Sequence, residues 1–360
     1  MITEGYVSFK FSNSYMLRDI TPVTVVVGGF FGDEGKGKVA AYLGLSIKPS
    51  VAVRTGSINA GHTVTYCGRT WKLRSIPSAF LHKLCRLYIP AGALISIPVF
   101  FNEVRETECD GRVFVDFNTG VITDEHVMRE RGDEVMSLIG STKQGVGAAM
   151  ADRVRRVLKL ARDYGELKSY LRDVALEVNE AVDRGEEVLI EGTQGLYLSL
   201  YFGTYPYVTS RDTSASGVLS EVGLGPKKVD DVLVVFKSYV TRVGEGPLPN
   251  ELSYDDIVKF GFLEKASVTG RVRRAAPFNY ELARRAVTIN SATQVAITKI
   301  DVLFRDAQNV REWGKLPREA RKWVEEVEEV LKVPVTLVGT GEEVEAMVDR
   351  RKDVFGSLRR

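Results

Sequence analysis

Four charged side chains, Asp33, Glu34, Lys36 and Lys38, sit in one glycine-rich stretch, VTVVVGGFFGDEGKGKVAAYL at 23–43. A glycine loop between a strand and a helix turns bare backbone N–H groups and a helix N-terminus toward an anion. Carboxylates beside lysines in such a loop predict a magnesium-bound phosphate that also reacts. The stretch is not the common phosphate motif GxxxxGK[ST]. Gly35-Lys36 supplies the GK pair, but Phe30 stands at the first glycine position and Gly37 where a hydroxyl would hold the metal. Asp33 is then the nearest candidate ligand.

Other candidate groups lie far away in sequence. His62, one of three histidines, sits in NAGHT at 59–63. A lone histidine is more often structural than catalytic; its glycine-loop setting after a strand brings the two readings level. Arg271, Arg273 and Arg274 follow Gly270 in VTGRVRR at 268–274. Guanidinium forks match carboxylate and phosphate, and the alternative is a solvated basic turn. In TKID at 298–301, Asp301 offers two acceptors to the ring N–H and exocyclic amine of guanine, and Lys299 a chain to lie along a base. Asp301 could equally cap the next segment. EGTQG at 191–195 and the polar, aromatic stretch 201–217 are dense in hydrogen-bonding groups.

These groups need a scaffold. Apolar runs predict strands at 23–27, 51–54, 112–115, 187–191, 231–237, 295–300 and 333–338. Apolar spacing predicts helices over 39–43, 148–164, 167–184 and 317–331. Alternation of the two predicts an α/β fold, a mostly parallel central sheet flanked by helices. The glycine loops follow strand ends, where open parallel sheets bind ligands. Residues 1–22 read as an N-terminal extension, and 23–355 as a single α/β domain.

Composition narrows the function class. The chain has 360 residues, 44% of them hydrophobic, and a formal net charge of +2, so no global basic field favours nucleic acid. Cys67, Cys85 and Cys109 have no metal spacing, which predicts a reducing compartment. The longest mainly apolar run, 89–101, contains two prolines and is too short for a bilayer. A cytoplasmic protein with no membrane partner is expected.

The blocks GDEGKGK (32–38), NAGHT, IPS (76–78), IGST (139–142), EGTQG, GTYPYVTS (203–210), GLGP (223–226), TRVGEGP (241–247), VTGRVRR and TKID run in order over nearly the whole chain after residue 22. In this the chain resembles the adenylosuccinate synthetase family, in its compact archaeal type. The resemblance implies a P-loop-NTPase-like fold with a non-Walker GTP loop. It implies ligation of IMP to L-aspartate through a 6-phosphoryl intermediate, with GTP as phosphoryl donor and Mg2+ as cofactor, in AMP biosynthesis. Asp33 matches the family's catalytic base and His62 its acid, with magnesium on Asp33 and the Gly61 carbonyl. GTP-binding positions are Gly32, Gly35, Lys36, Gly37, Lys38, Gly61, Thr63, Lys299, Asp301, Gly339 and Gly341. IMP-binding positions are Asp33, Lys36, Asn59, Thr142, Arg156, Gln194, Thr209 and Arg271, and aspartate-binding ones Thr269, Arg271 and Arg273. Arg156 matches an arginine reaching in from a second subunit, so a homodimer is implied.

Some positions depart from the family pattern. Phe30-Phe31 replace glutamine-tryptophan, Glu245 a small residue, and Val272, Ala276, Pro277 and Asn279 an arginine, a glycine, a tryptophan and an aspartate. STKQG and TSRDTSAS are similar to a phage relative, 2-aminoadenylosuccinate synthetase, which acts on dGMP. This is the alternative reading: (d)GMP with aspartate and ATP or GTP. The retained Asp33 and Asp301 favour IMP and GTP. A nucleotide-binding regulator without chemistry has no use for Asp33 and His62 together.

Overall fold

A computed structural model describes residues 23–265 and 270–356. The expected extension 1–22 lies outside the described residues. Among the described residues ten strands form the central sheet: β1 (Val23–Gly28), β2 (Val51–Arg54), β3 (Arg86–Ile89), β4 (Val113–Asp116), β5 (Leu171–Arg172), β6 (Val188–Glu191), β7 (Asp231–Lys237), β8 (Gln294–Thr298), β9 (Val335–Gly339) and β10 (Met347–Asp349). Their order is β10-β9-β8-β7-β1-β6-β2-β3-β4-β5. All neighbours pair in parallel except β9 and β10.

The central strands are rich in valine, isoleucine and leucine and buried along their length, as a sheet covered on both faces requires. Alternate residues of β1 serve two cores. Val23, Val25 and Val27 pack with the helices Val174–Asp183, Ala215–Val222, Tyr280–Asn290 and Arg318–Leu331. Val26 packs on the other side with α1 (Lys36–Ser46) and Ile97–Thr107. Among the described residues no helix is long and apolar enough to cross a membrane.

The expected parallel sheet and most of its strands are present. Two helices differ. The segment expected as helix over 148–164 is helical at Val146–Arg155 and stops at Arg156, whose φ of 63° is left-handed. The segment 167–184 begins as a 3-10 turn and a short strand; its helix, Val174–Asp183, starts where the Asp173 carboxylate accepts the Leu176 N–H. The strand expected over 295–300 ends at Thr298, because Lys299 turns left-handed at φ 61°.

Candidate active site

Loops at the carboxyl ends of the central strands line one cleft of about 810 Å³. The β1 loop is built by its own glutamate. Glu34 accepts the Phe30 N–H at 3.0 Å, the Gly32 N–H at 2.8 Å and the Lys36 ammonium at 2.6 Å. Thr298 donates its hydroxyl to the Glu34 carbonyl at 2.7 Å, pinning the loop to β8. Glu34 is thus a clamp inside the loop, facing its own backbone rather than a metal. Asp33, next to it, has φ 65° and lines the cleft. Where β1 ends, a Cβ on Gly28 would stand 2.2 Å from the Gln194 carbonyl oxygen. Gly28→Ala is therefore expected to destabilise the fold by at least about 2 kcal/mol through overpacking, seen as a lowered thermal midpoint.

His62 opens the hairpin strand His62–Tyr66. Its Nδ1 is bonded to Glu191 at the end of β6, and Glu191 also accepts the Ser78 N–H and hydroxyl, each at 2.6 Å. Arg54, ending β2, donates to the carbonyls of Ala60 (3.1 Å), Leu73 (3.1 Å) and Ile76 (3.2 Å), fixing the NAGHT and IPS blocks together. Burial, with Arg54 nearby, pulls the His62 pKa down to about 4 against the opposing pull of Glu191. At that value the His62 ring is neutral at pH 7, and a negative charge placed beside a histidine raises its proton affinity.

Asp33 is ion-paired to Arg273 at 2.9 Å. Burial, the largest influence, raises the Asp33 pKa; Arg273 and Lys237 pull it down, and Glu34 and Glu264 push it up. A raised carboxylate pKa suits a general base. Arg271 donates to the Gly140 carbonyl at 2.9 Å. Arg271 and Arg273, two apart, both line the cleft while Val272 between them is 50% exposed, as alternation along an extended segment places them. Thr269 lies outside the described residues.

At β8, Lys299 lines the cleft and its carbonyl accepts the Ser238 hydroxyl at 2.7 Å. Asp301, two residues on, is not itself among the lining residues; its Oδ1 is buried and has no hydrogen-bond partner among the described residues. Lys38 donates to the carbonyls of Gly341 (2.6 Å) and Ala346 (2.7 Å), tying the β1 loop to the turn after β9. Burial lowers the Lys38 pKa to about 8, with Asp301 opposing. Gly32, Gly35, Lys36, Gly37, Gly61, Thr63 and Gly341 line the cleft, as do Asn59, Thr142, Gln194 and Thr209. Gly339 backs onto Lys38 off the wall, and Arg156 is exposed away from the cleft.

Five side chains here escaped the reading of the sequence: Arg54, Glu191, Lys237 and Glu264, and Glu34 in its clamping role. Only Glu34 and Glu191, inside quoted blocks, carried a signal. The departures from the motif find physical partners. Phe31 packs on Tyr197 at 5.3 Å between ring centroids, with the Arg242 guanidinium 4.6 Å from its centre. Asn279 caps the helix Tyr280–Asn290, accepting the Leu282 N–H at 3.0 Å.

The adenylosuccinate synthetase family model matches residues 25–163 and 157–307. The chain belongs to the adenylosuccinate synthetase family. It is 49% identical over 332 residues to the adenylosuccinate synthetase of Archaeoglobus fulgidus, covering 92% of this chain and 98% of the relative. It is 47% identical over 336 residues to that of Methanocaldococcus jannaschii, covering 92% and 97%. The fully ligated enzyme from Plasmodium falciparum superposes with a TM-score of 0.85 at 24% identity, over 91% of this chain and 99% of that one, and so shares the fold. A cyanophage S-2L succinoaminodeoxyadenylate synthetase, bound to dGMP and dATP, superposes at 0.76 with 25% identity, over 91% and 95%. The family resemblance read from the motifs is borne out.

Proposed function

We propose that the chain ligates IMP and L-aspartate to adenylosuccinate at the expense of GTP, through a 6-phosphoryl intermediate, as one catalytic unit spanning 23–355. The observation that carries this is the gathering of Asp33, His62, Lys36 and Arg273 on one cleft from three separate sequence blocks. Asp33 takes the ring proton beside the 6-oxygen of IMP. That oxygen attacks the γ-phosphorus of GTP, and GDP leaves. The glycine loop, Lys36 and His62 stabilise the charge on the transferring group. The aspartate amine, its carboxylates held by Arg271, Arg273 and Thr269, then attacks C6 and phosphate departs. Asn59, Thr142, Gln194 and Thr209 hold IMP, and Lys299, Asp301 and the 339–341 turn hold guanine.

The Asp33 carboxylate and Gly61 carbonyl line the same cleft and are hard oxygen donors suited to magnesium. Among the described residues no cluster of three or more acidic, histidine or cysteine side chains could hold a metal alone. Magnesium commonly takes one or two carboxylates and completes its shell with water and substrate phosphates. When bound, Mg2+ neutralises charge on the phosphate oxygens. The exposed apolar side chains Met128, Leu138, Val154 and Val157 lie in the segments around Arg156, which supports a homodimer in which Arg156 reaches the neighbouring site. Near-neutral charge and the small-molecule cleft support a cytoplasmic enzyme without nucleic-acid or membrane partners.

Labelled oxygen tests the route. With 18O at C6 of IMP, the label is expected in the released phosphate; phosphate free of it overturns the 6-phosphoryl step. The arginine loop gives a second expectation. Arg273→Leu raises the Michaelis constant for aspartate roughly thirty-fold, the loss of a charge-assisted carboxylate contact of about 1.5–3 kcal/mol. Constants for IMP and GTP move far less, and Val272→Arg changes little. Steady-state kinetics with aspartate varied decide it.

A further inference from the structure

Lys237 ends β7 with its side chain 2% exposed. A buried ammonium needs partners. It donates to the Thr241 hydroxyl at 2.6 Å and to Glu264 at 2.9 Å, and lies 4.6 Å from the Tyr239 ring centre. Glu264 collects two further donors. The Tyr239 hydroxyl bonds its Oε1, and Nη1 of Arg273 bonds the same Oε2 that Lys237 holds. The other terminal nitrogen of Arg273 is the one that holds Asp33, at 2.9 Å. The loop backbone is tied to the same residue, since the Arg273 N–H donates to the Glu264 carbonyl at 2.9 Å. Arg273 Nε is buried with no partner among the described residues.

An arginine side chain has much rotamer freedom to lose when it is held in one geometry. Glu264 removes it by holding both the backbone and one arm of Arg273, and is itself fixed by Tyr239 and Lys237. The remaining arm then stands beside Asp33, on the cleft wall. We propose that Glu264 is a positioning residue for amino-acid recognition: it sets the Arg273 guanidinium so that the substrate carboxylate meets a preset Nη2 arm beside the base. This rests on the reading that Arg273 binds aspartate. Balancing Lys237 alone would be a stability role and would affect all three substrates alike.

A double-mutant cycle separates these roles. Glu264→Gln keeps the shape and loses the charge. It is expected to raise the aspartate Michaelis constant about ten-fold, with those for IMP and GTP within about two-fold. In an Arg273→Leu background the same change adds less than about two-fold, because Glu264 acts through Arg273. Tyr239→Phe, which removes one donor and keeps the carboxylate, raises the aspartate constant in the same direction by a smaller factor, and decides the matter should Glu264→Gln fail to fold. Equal effects on all three substrates, full additivity with Arg273→Leu, or an unchanged aspartate constant in Glu264→Gln (in Tyr239→Phe if the former does not fold) would overturn the proposal alone. An Arg273→Leu enzyme with an unchanged aspartate constant overturns both the proposal and the reading beneath it.

Discussion

Asp33→Asn lowers turnover by about a thousand-fold while GTP and IMP still bind within a few-fold of the native protein. A positioned general base contributes typically 10²–10⁴ in rate, and the amide cannot take the proton. The loop survives the change, because its shape comes from Glu34, which holds the Phe30 and Gly32 N–H groups and Lys36 independently of the Asp33 side chain. Asparagine also tolerates the left-handed backbone at this position, φ 65°. Turnover at saturating substrate, beside calorimetric titration with nucleotide, measures both halves. More than about a tenth of the native rate, a barrier change under ~1.4 kcal/mol, is incompatible with Asp33 as the base.

Asp301→Asn reduces kcat/KM for GTP about a hundred-fold and leaves the aspartate constant unchanged. The buried Oδ1 of Asp301 has no hydrogen-bond partner among the described residues, an arrangement that costs stability until a donor arrives. Guanine brings two adjacent donors, and a carboxylate accepts both. Asparagine offers one acceptor and sets an N–H against the second donor, so a contact of about 1.5–3 kcal/mol becomes a mismatch. The same logic has the native protein reject ATP by about 10³ or more, since adenine presents an acceptor beside its amine and leaves buried groups unpaired. Competition between GTP and ATP in steady-state assays measures it. Equal use of the two by the native protein removes Asp301 from guanine recognition.

The parts of this site that could be read from the chain are the local ones. The β1 run of valines, the glycines after it and the arginines that follow Gly270 each declare strand, anion loop or anion-binding side chains within a few residues. What could not be read joins distant segments. His62 and Glu191 are 129 positions apart and Arg54 acts on the carbonyls of Ala60, Leu73 and Ile76, so no spacing announces them. Lys237 reads only as the end of the strand 231–237, and nothing local marks Glu264; their meaning lies in meeting each other and, through Glu264, Arg273. The helix ends were misplaced for a related reason. Apolar spacing continues through Val157 and Leu158, but Arg156 turns left-handed and leaves Val157 59% exposed. The motif departures were visible, yet only packing shows that Asn279 serves as a cap and Phe31 as a ring under Arg242.

The most direct test of the central claim is the mass of the product. The purified protein is incubated with aspartate and magnesium and each pairing of IMP, GMP or dGMP with GTP or ATP. The account predicts adenylosuccinate from IMP with GTP, and little or nothing from the other pairings. A 2-aminoadenylosuccinate product from GMP or dGMP, formed faster than adenylosuccinate, would contradict it.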